Sequence, residues 1–387
     1  MIRQALLAIC ILGLLSAVPA SWAQATDTSS RATYPAATMT GEFFSALVLD
    51  PETGDLLVAT RPHDPHEPAS MTKMMTELIL LEAVGRGEIS LSDTVVISGR
   101  ASKVGGSQVF LKQGEVFTVE DLMMAMAIHS ANDAATALAE HHAGSVEAFV
   151  DLMNTRGAEL GMNDTQFHSV HGLPPARGQL SDISSAYDMA ILAREVIRHP
   201  EALRWGAMGS APFRNGEFTL HSPNRLIGKY RGLDGLKTGY HHGAGFCITA
   251  TAVQKDHRLI AVVMGSPTDR QRAAEASRLL TFGFNLYSRH TLLDHTREQL
   301  SPLKVKDGKS RSVPVALAES LILSLRKDQV GAIVIERQVA DAVTAPVEAG
   351  QVVGKAVAKL GDQDLGEVPI VAVERVAEGN IFEKLFH

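Results

Sequence analysis

Apolar residues recur at helical spacing in the segment that follows Ser70. Because side chains three and four positions apart share one face of a helix, the run predicts a largely buried helix; its members are Met71, Met74, Met75, Leu78, Ile79 and Leu81. Gly85 and Gly87 are typical of the end of such a helix. Pro65 and Pro68 disfavour helix before it. Ser70 is therefore predicted to lie at a helix N-terminus, where free backbone N–H groups favour negative charge.

A second apolar face is followed by a polar turn and a third helix. Thr118 and Asp121 match an N-terminal capping pair, and the helix that they begin is predicted to end near His129. The turn Ser130-Ala-Asn132-Asp133 precedes a helix predicted over residues 134–139. Such a turn is either a simple connection or a way to direct a hydroxyl and an amide into a cleft.

Runs of β-branched and alternating apolar residues predict an antiparallel sheet. Residues 43–49 and 56–60 form one predicted hairpin, and residues 244–253 and 259–264 form another across a polar turn. Leu236–Gly239, just upstream of the second hairpin, is predicted to be an edge strand beside a cleft. Strands and helices together predict an α/β (α+β) domain with an antiparallel sheet and a helical half.

The pattern changes after Leu293, where short strands separated by turns replace the helices. The predicted strands cover residues 312–318, 331–337, 351–360 and 368–373. This pattern predicts a small all-β domain over residues 291–378 that follows the α+β domain of residues 39–290.

Both ends of the chain carry segments outside these domains. Arg3 precedes the uncharged apolar residues 5–18, and small residues follow; this pattern predicts a signal peptide over residues 1–23, too short for a membrane span. Residues 24–38 are rich in Thr, Ser and Ala and are predicted to be loose. Residues 379–387 form a short amphipathic tail. The protein is therefore predicted to be exported to the periplasm.

The tail leaves its relation to the membrane open. Its apolar side chains share one helical face; they are Ile381, Phe382, Leu385 and Phe386. Two helical turns are too short for a strong anchor alone. Two interpretations remain: weak peripheral contact with the outer face of the inner membrane, and no contact.

Composition narrows the classes of function. The 387 residues predict two or three domains at about 150 residues each. A net charge of −7 argues against nucleic-acid binding. Without the signal peptide, Cys247 is the single cysteine, so no disulfide is predicted, and its β-run indicates a buried inert thiol. His63, His66 and Glu67 lack the spacing of metal ligands, and no metal or other cofactor is predicted.

Three short strings carry the candidate chemistry. Ser70-Met-Thr-Lys73 offers a nucleophile with an amine one turn away, Ser130-Ala-Asn132 a second hydroxyl, and Lys237-Thr-Gly239 a cation on a strand. Together they are the parts of acyl transfer through a serine ester. Lys73 must be neutral to accept a proton. Its free pKa is about 10.4, and both burial and the charge of Lys237 would lower that pKa.

Copies of two strings occur elsewhere, so order and context must choose among them. Ser301–Lys304 and Ser324–Lys327 repeat the Ser-x-x-Lys spacing, but both fall in the predicted β domain and are interpreted as structural positions. Ser222-Pro-Asn224 repeats Ser-x-Asn close before Lys237 and is interpreted as a loop. Lys-Thr-Gly occurs once.

With these strings in this order, the chain resembles the low-molecular-mass penicillin-binding proteins, the serine-type D-alanyl-D-alanine carboxypeptidases, over roughly residues 38 to 380. Further segments match the family in order: Pro68–Thr76, Phe110–Lys112, Leu160–Met162, His171–Leu173, Tyr187–Ala190, Asn224–Leu226, Asp234–Gly239 and Thr281–Phe284. The resemblance implies a penicillin-recognising serine transferase/β-lactamase-like domain. It also implies peptidoglycan stem peptides as substrates and β-lactam antibiotics as covalent inhibitors.

The resemblance implies a role for each site residue. Nucleophile, base and proton relay are, in that order, Ser70, Lys73 and Ser130. Substrate binding falls to Asn132, Lys237, Thr238, Gly239 and Arg272, the last of which helps to hold a terminal carboxylate. The oxyanion hole is formed by the backbone N–H groups of Ser70 and Tyr240. For Arg272, a solvated arginine on a helix over residues 269–286 remains an alternative.

The expected activity is removal of the terminal D-alanine from peptidoglycan pentapeptide stems through an acyl-enzyme on Ser70. Two alternatives remain: a DD-endopeptidase that cuts cross-links, and a non-enzymatic module that senses β-lactams or binds peptidoglycan. Glu159-Leu-Gly-Met-Asn163 imitates the acidic loop of class A β-lactamases. Its place at the end of a helix predicted over residues 146–160 indicates that Glu159 does not face Ser70, so the penicilloyl-enzyme is expected to be long-lived.

Overall fold

The computed structural model describes residues 36–380. Its helices are α1 (Lys73–Gly85), α2 (Val119–His129), α3 (Asn132–Ala143), α4 (Val146–Glu159), α5 (Ala186–Val196), α6 (Pro200–Gly206) and α7 (Asp269–Leu286). Its strands are β1 (Ser45–Leu49), β2 (Leu56–Thr60), β3 (Thr94–Val96), β4 (Val116–Thr118), β5 (Ser210–Phe213), β6 (Phe218–His221), β7 (Leu233–His241), β8 (Gly245–Gln254), β9 (His257–Ser266), β10 (Tyr287–Leu293), β11 (Leu303–Lys306), β12 (Ser312–Val313), β13 (Val315–Leu317), β14 (Leu321–Arg326), β15 (Ile333–Val339), β16 (Ala342–Thr344), β17 (Val352–Leu360) and β18 (Gln363–Ala372).

Some predicted segments lie outside the described residues. They are the signal peptide, residues 24–35 of the loose segment, and Ile381–His387 of the tail. Across residues 36–380, no helix combines the length and the apolar character that crossing a bilayer requires.

A five-stranded sheet forms the centre of the first domain, in the order β2-β1-β9-β8-β7, and all of its strand pairs are antiparallel. Lys255 and Asp256 close the β8–β9 hairpin with φ values of 51° and 61°, as a tight two-residue hairpin turn requires. β7, which carries Lys237, lies at the edge of the sheet. The predicted edge strand is therefore confirmed.

Successive side chains of a strand point to opposite faces of the sheet. In residues 46–49 of β1 these side chains are apolar on both faces, so each face packs against a separate core. Ala46 and Val48 pack with Leu279 of α7 on one face. Leu47 and Leu49 pack on the other face with the remaining helices. The predicted architecture of an antiparallel sheet and a helical half is confirmed.

Two helix boundaries differ from the predicted ones, and each places a site residue. Ser70 lies in a 3₁₀ turn, Ala69–Thr72, and α1 begins only at Lys73. The first residue of that turn has a φ of 49°, a left-handed conformation that a regular helix does not contain. Ser130 also has a left-handed φ, 63°, and it ends α2, while α3 begins at Asn132.

The second domain begins with β10, directly after α7, and consists of β-strands. Its sheets are β10-β14, β12-β11-β16 and β13-β18-β17-β15, and β11–β16 is a parallel pair. A separate apolar core includes Val313, Leu323, Val347, Ala356 and Ile370. The predicted small all-β domain is confirmed, although the sequence pattern did not predict β10, β11, β14 or β16.

Candidate active site

Ser70 and Lys73 meet at the start of α1. The Lys73 amine Nζ lies 2.9 Å from Ser70 Oγ and 2.6 Å from the carbonyl oxygen of His171, to which it donates. Only 1% of Lys73 is exposed. Burial, followed by the charge of Lys237, holds the pKa of Lys73 well below its usual value. At neutral pH, the fraction of Lys73 present as the neutral amine, which can accept the Ser70 proton, is therefore larger than for a lysine in water.

Two close approaches of the backbone hold Ser70 in place. A Cβ on Gly172, whose φ is 75°, would lie 1.9 Å from the carbonyl oxygen of Ala69. A Cβ on Gly239 would lie 2.6 Å from the carbonyl oxygen of Pro68 and 3.1 Å from the backbone nitrogen of Ser70. Glycine alone fits either position, and the Ser70 N–H is thereby brought beside the edge strand β7.

Ser130 and Lys237 form a second hydroxyl–amine pair. Lys237 Nζ donates to Ser130 Oγ at 2.8 Å and to the carbonyl oxygen of Thr238 at 3.1 Å. Burial lowers the pKa of Lys237 to about 7; Glu77 opposes this decrease and Arg272 adds to it. The charge of Lys237 therefore changes within the neutral pH range.

The first turn of α3 supplies an amide. Asn132 Nδ2 donates to the carbonyl oxygen of Gly105 at 2.8 Å, whereas the buried Oδ1 has no hydrogen-bond partner among the described residues. The Asp133 carboxylate accepts from the N–H groups of Val109 and Leu111, both at 3.1 Å, and so fixes the facing loop. Because buried polar atoms are normally paired, Asn132 Oδ1 is an acceptor suited to an N–H group of a ligand.

Arg272 and Tyr240 occupy very different environments. Arg272 is 3% exposed and donates to the carbonyl oxygens of Gly239 and Cys247 at 3.4 and 3.3 Å. The alternative of a solvated arginine is therefore wrong. Tyr240 is 55% exposed, and its ring stacks on that of Phe246 with 4.0 Å between the centroids.

These residues surround one cavity of about 620 Å³. Lys73 and Lys237 lie behind its wall, bonded to the two serines. The predicted site residues that line it are Ser70, Ser130, Asn132, Thr238, Gly239, Tyr240 and Arg272. Sequence reasoning missed other lining residues: Gly106, Ser107, Ser222, Pro223, Arg225 and Asp269. Their contacts span long stretches of sequence. The family match at Asn224–Leu226 covers Arg225, whereas Ser222-Pro-Asn224 was interpreted as a loop.

The competing sequence features lie elsewhere. Glu159 lines a larger cavity of about 780 Å³ between the end of α1 and α4, where it pairs with Arg156 at 3.0 Å. As expected, Glu159 does not line the Ser70 cavity. His63 and His66, for which no metal site was predicted, contact separate partners. Nδ1 of His63 lies 2.8 Å from the Asp164 carboxylate, and Nε2 of His66 lies 2.8 Å from the carbonyl oxygen of Ala244.

A serine–lysine pair, a second serine beside an amide, and a lysine on a sheet edge converge on one cavity between a sheet and a helical half. This arrangement defines the class of penicillin-recognising serine enzymes.

Comparison with known proteins supports this class. The D-alanyl-D-alanine carboxypeptidase family matches residues 32–268, and the C-terminal domain of penicillin-binding protein 5 matches residues 287–378. D-alanyl-D-alanine carboxypeptidase DacF of Bacillus subtilis is 37% identical over 334 residues, which are 85% of each chain. DacD of Escherichia coli is 34% identical over 349 residues, 88% of each chain. The structure of penicillin-binding protein 5 from Haemophilus influenzae superposes with a TM-score of 0.80 at 30% identity, covering 89% of this chain and all of that one.

The chain therefore belongs to the D-alanyl-D-alanine carboxypeptidase family. It is a serine-type D-Ala-D-Ala carboxypeptidase, and the fold, family and activity predicted from sequence are confirmed. Penicillin-binding proteins bind β-lactams and peptidoglycan substrates, which are the ligand classes of this family.

Proposed function

We propose that Ser70 is the acylated residue and that the enzyme releases the terminal D-alanine from peptidoglycan pentapeptide stems. The observation that carries this proposal is the 2.9 Å contact between Ser70 Oγ and the buried Lys73 amine, beside the cavity that Ser130 also lines. Penicillins, which carry a strained amide and a carboxylate, acylate the same oxygen in this scheme.

Substrate is oriented by groups on both sides of the cavity. Asn132 Oδ1, which has no internal partner among the described residues, accepts an N–H of the stem peptide. Lys237 and Arg272 attract the terminal carboxylate, with the Thr238 hydroxyl beside them. The peptide then lies along the edge strand β7, where Gly239 leaves room for a close approach.

Acylation moves one proton around the site. Neutral Lys73 takes the proton of Ser70 as Oγ attacks the carbonyl carbon between the two D-alanines. The backbone N–H groups of Ser70 and Tyr240 donate to the resulting oxyanion. Lys73 returns its proton through the Ser130 hydroxyl to the leaving nitrogen, the C–N bond breaks, and D-alanine departs.

In deacylation, water is the nucleophile and the Ser70 oxygen is the leaving group. Lys73 takes a proton from a water molecule, the hydroxide attacks the ester carbonyl, and Ser70 leaves with a proton. Glu159, the carboxylate that would imitate a β-lactamase base, lines another cavity. The penicilloyl-enzyme is accordingly long-lived in this proposal.

Location is proposed from the predicted end segments. Export to the periplasm follows from the signal peptide over residues 1–23, and the short tail of residues 379–387 gives weak, reversible membrane contact. Fractionation is expected to recover most processed protein in the soluble periplasmic fraction. Firm retention in washed membranes, lost on deletion of Ile381–His387, would contradict this proposal.

One assay with two substrates tests the activity. The purified enzyme is incubated with a pentapeptide stem and, separately, with a cross-linked dimer. Release of D-alanine from the pentapeptide is expected. Faster release of monomers from the dimer would instead identify an endopeptidase. Penicillin labelling without turnover of either substrate would identify a sensor.

A further inference from the structure

One carboxylate joins two arginines at the wall of the Ser70 cavity. Asp269 is the first residue of α7, which Thr268 caps. Its Oδ1 pairs with Nη2 of Arg272, and its Oδ2 pairs with Nε of Arg225. The two arginines belong to different elements, and all three charged residues line the cavity.

The same contacts fasten a loop to α7. Arg272 Nη2 also donates to the carbonyl oxygen of Pro223 at 3.3 Å, two residues before Arg225. The loop is therefore held both by the Asp269–Arg225 pair and by this hydrogen bond. With the loop fixed, the cavity wall beside Thr238 and Gly239 has a defined shape.

Each of the two arginines keeps at least one N–H donor without a hydrogen-bond partner within residues 36–380. Nε of Arg272 is buried without a hydrogen-bond partner. Arg225 has an exposed fraction of 60% and engages Asp269 through Nε, and no protein partner of Nη1 or Nη2 occurs within residues 36–380. Two guanidinium groups and one carboxylate leave a net charge of +1, so the group still attracts a substrate carboxylate.

We propose that Asp269 is a positioning residue that fixes Arg225 and Arg272 as one receptor for the terminal carboxylate of the substrate. It thereby sets the preference for peptides that end in a free carboxylate. This inference rests on the proposed function, in which Arg272 faces that carboxylate. The helix dipole favours a negative charge at the first turn of α7, where Asp269 lies.

The test compares Asp269→Asn with a matched control, Glu275→Gln. Glu275 pairs with Arg278 at the same i,i+3 spacing on α7, at 2.6 Å, away from the cavity. KM and kcat are measured on an acyl-D-Ala-D-Ala peptide and on the same peptide with a C-terminal amide. For Asp269→Asn we expect kcat/KM on the carboxylate peptide to fall about 10- to 100-fold, mainly through KM, and the amide peptide to change little. Glu275→Gln should change neither.

Two outcomes would overturn the inference. Equal losses on both peptides would mean that Asp269 only maintains the fold, and a larger preference for the carboxylate would mean that it shields the arginines. If Asp269→Asn does not fold, Arg225→Gln replaces it, because this exposed side chain can be changed without a buried charge; an unchanged carboxylate preference in that variant would also overturn the inference. A wild-type enzyme that releases D-alanine without any carboxylate preference would contradict the proposed role of Arg272, and hence the inference, while leaving the acylation mechanism intact.

Discussion

Ser70–Lys73 and Ser324–Lys327 share one spacing and have different environments. Ser70 lies in a 3₁₀ turn at the cavity, and the following helical turn brings Lys73 Nζ to within 2.9 Å of its Oγ. Ser324 lies in β14 and is 1% exposed. Lys327 follows the end of β14 in a turn, and its Nζ donates to backbone carbonyl oxygens of Phe284 and Asn285 instead of contacting Ser324.

The second string joins the two domains instead. Ser324 Oγ donates to the carboxylate of Asp50, and its backbone N–H donates to Asp55 at 2.8 Å; both acids flank the β1–β2 turn of the first domain. Lys327 Nζ donates to two carbonyl oxygens in the last turn of α7, at 2.7 and 3.0 Å, where the helix dipole favours a cation. The same residue spacing thus yields a serine–lysine contact at the start of α1 and an interdomain clamp at the end of β14.

The largest expected difference between the strings is in acylation. Ser70→Ala should reduce D-alanine release by at least about 10⁴-fold, because it removes the oxygen that is acylated in the proposed mechanism. Ser324→Ala should leave release unchanged. Labelling with a fluorescent penicillin, read alongside a thermal unfolding curve, checks both variants. Labelling that persists in Ser70→Ala and maps to Ser324 or Ser301 would invert the comparison.

Substitution of the two lysines should likewise affect acylation only at Lys73. Lys73→Arg keeps a positive charge that cannot be deprotonated in a protein. Acylation should therefore fall by about 10²- to 10⁴-fold, the range of general base catalysis. Lys327→Arg, which keeps the charge beside α7, should acylate normally. The rate of penicillin labelling measures this step, and near-normal labelling of Lys73→Arg would show that Lys73 acts only through its charge.

Local sequence patterns predicted the elements that carry Ser70 and Lys237, but not the remote residues that contact the site. The helical spacing after Ser70 and the β-run at Lys237 are visible because each depends on neighbours within a few positions. The partners that complete the site are remote in sequence: the His171 carbonyl accepts from Lys73 across 98 positions, and Asp269 meets Arg225 across 44. The left-handed turns at Ala69 and Ser130 could not be predicted either, because neither residue is a glycine.

The buried lysines should make turnover depend on pH in two opposite ways. Lys73 must be neutral, so acylation should rise as pH increases through its lowered pKa. Lys237 must be charged to hold a carboxylate, and its pKa is about 7; carboxylate binding should therefore weaken about tenfold per pH unit above that value. The value of kcat/KM for a carboxylate peptide, which reports on the free enzyme, should therefore fall at alkaline pH.

A matching peptide with a C-terminal amide is the control and should show no such fall in kcat/KM. Identical pH profiles for the two peptides would mean that Lys237 does not bind the carboxylate.

The smallest expected effect is on the clamp itself. Ser324→Ala removes a hydrogen bond to the ionised Asp50, which keeps His257 Nε2 as a partner at 2.9 Å. Because hydrogen bonds to charged groups contribute about 1.5–3 kcal/mol, the free energy of unfolding should fall by about that amount. Ser301→Ala, at an exposed position of the second domain, is the matched control and should leave stability unchanged. Denaturant unfolding with a probe in each domain measures both. If Ser324→Ala unfolded like the wild type while losing penicillin labelling, the second string would belong to the chemistry and the comparison would be wrong.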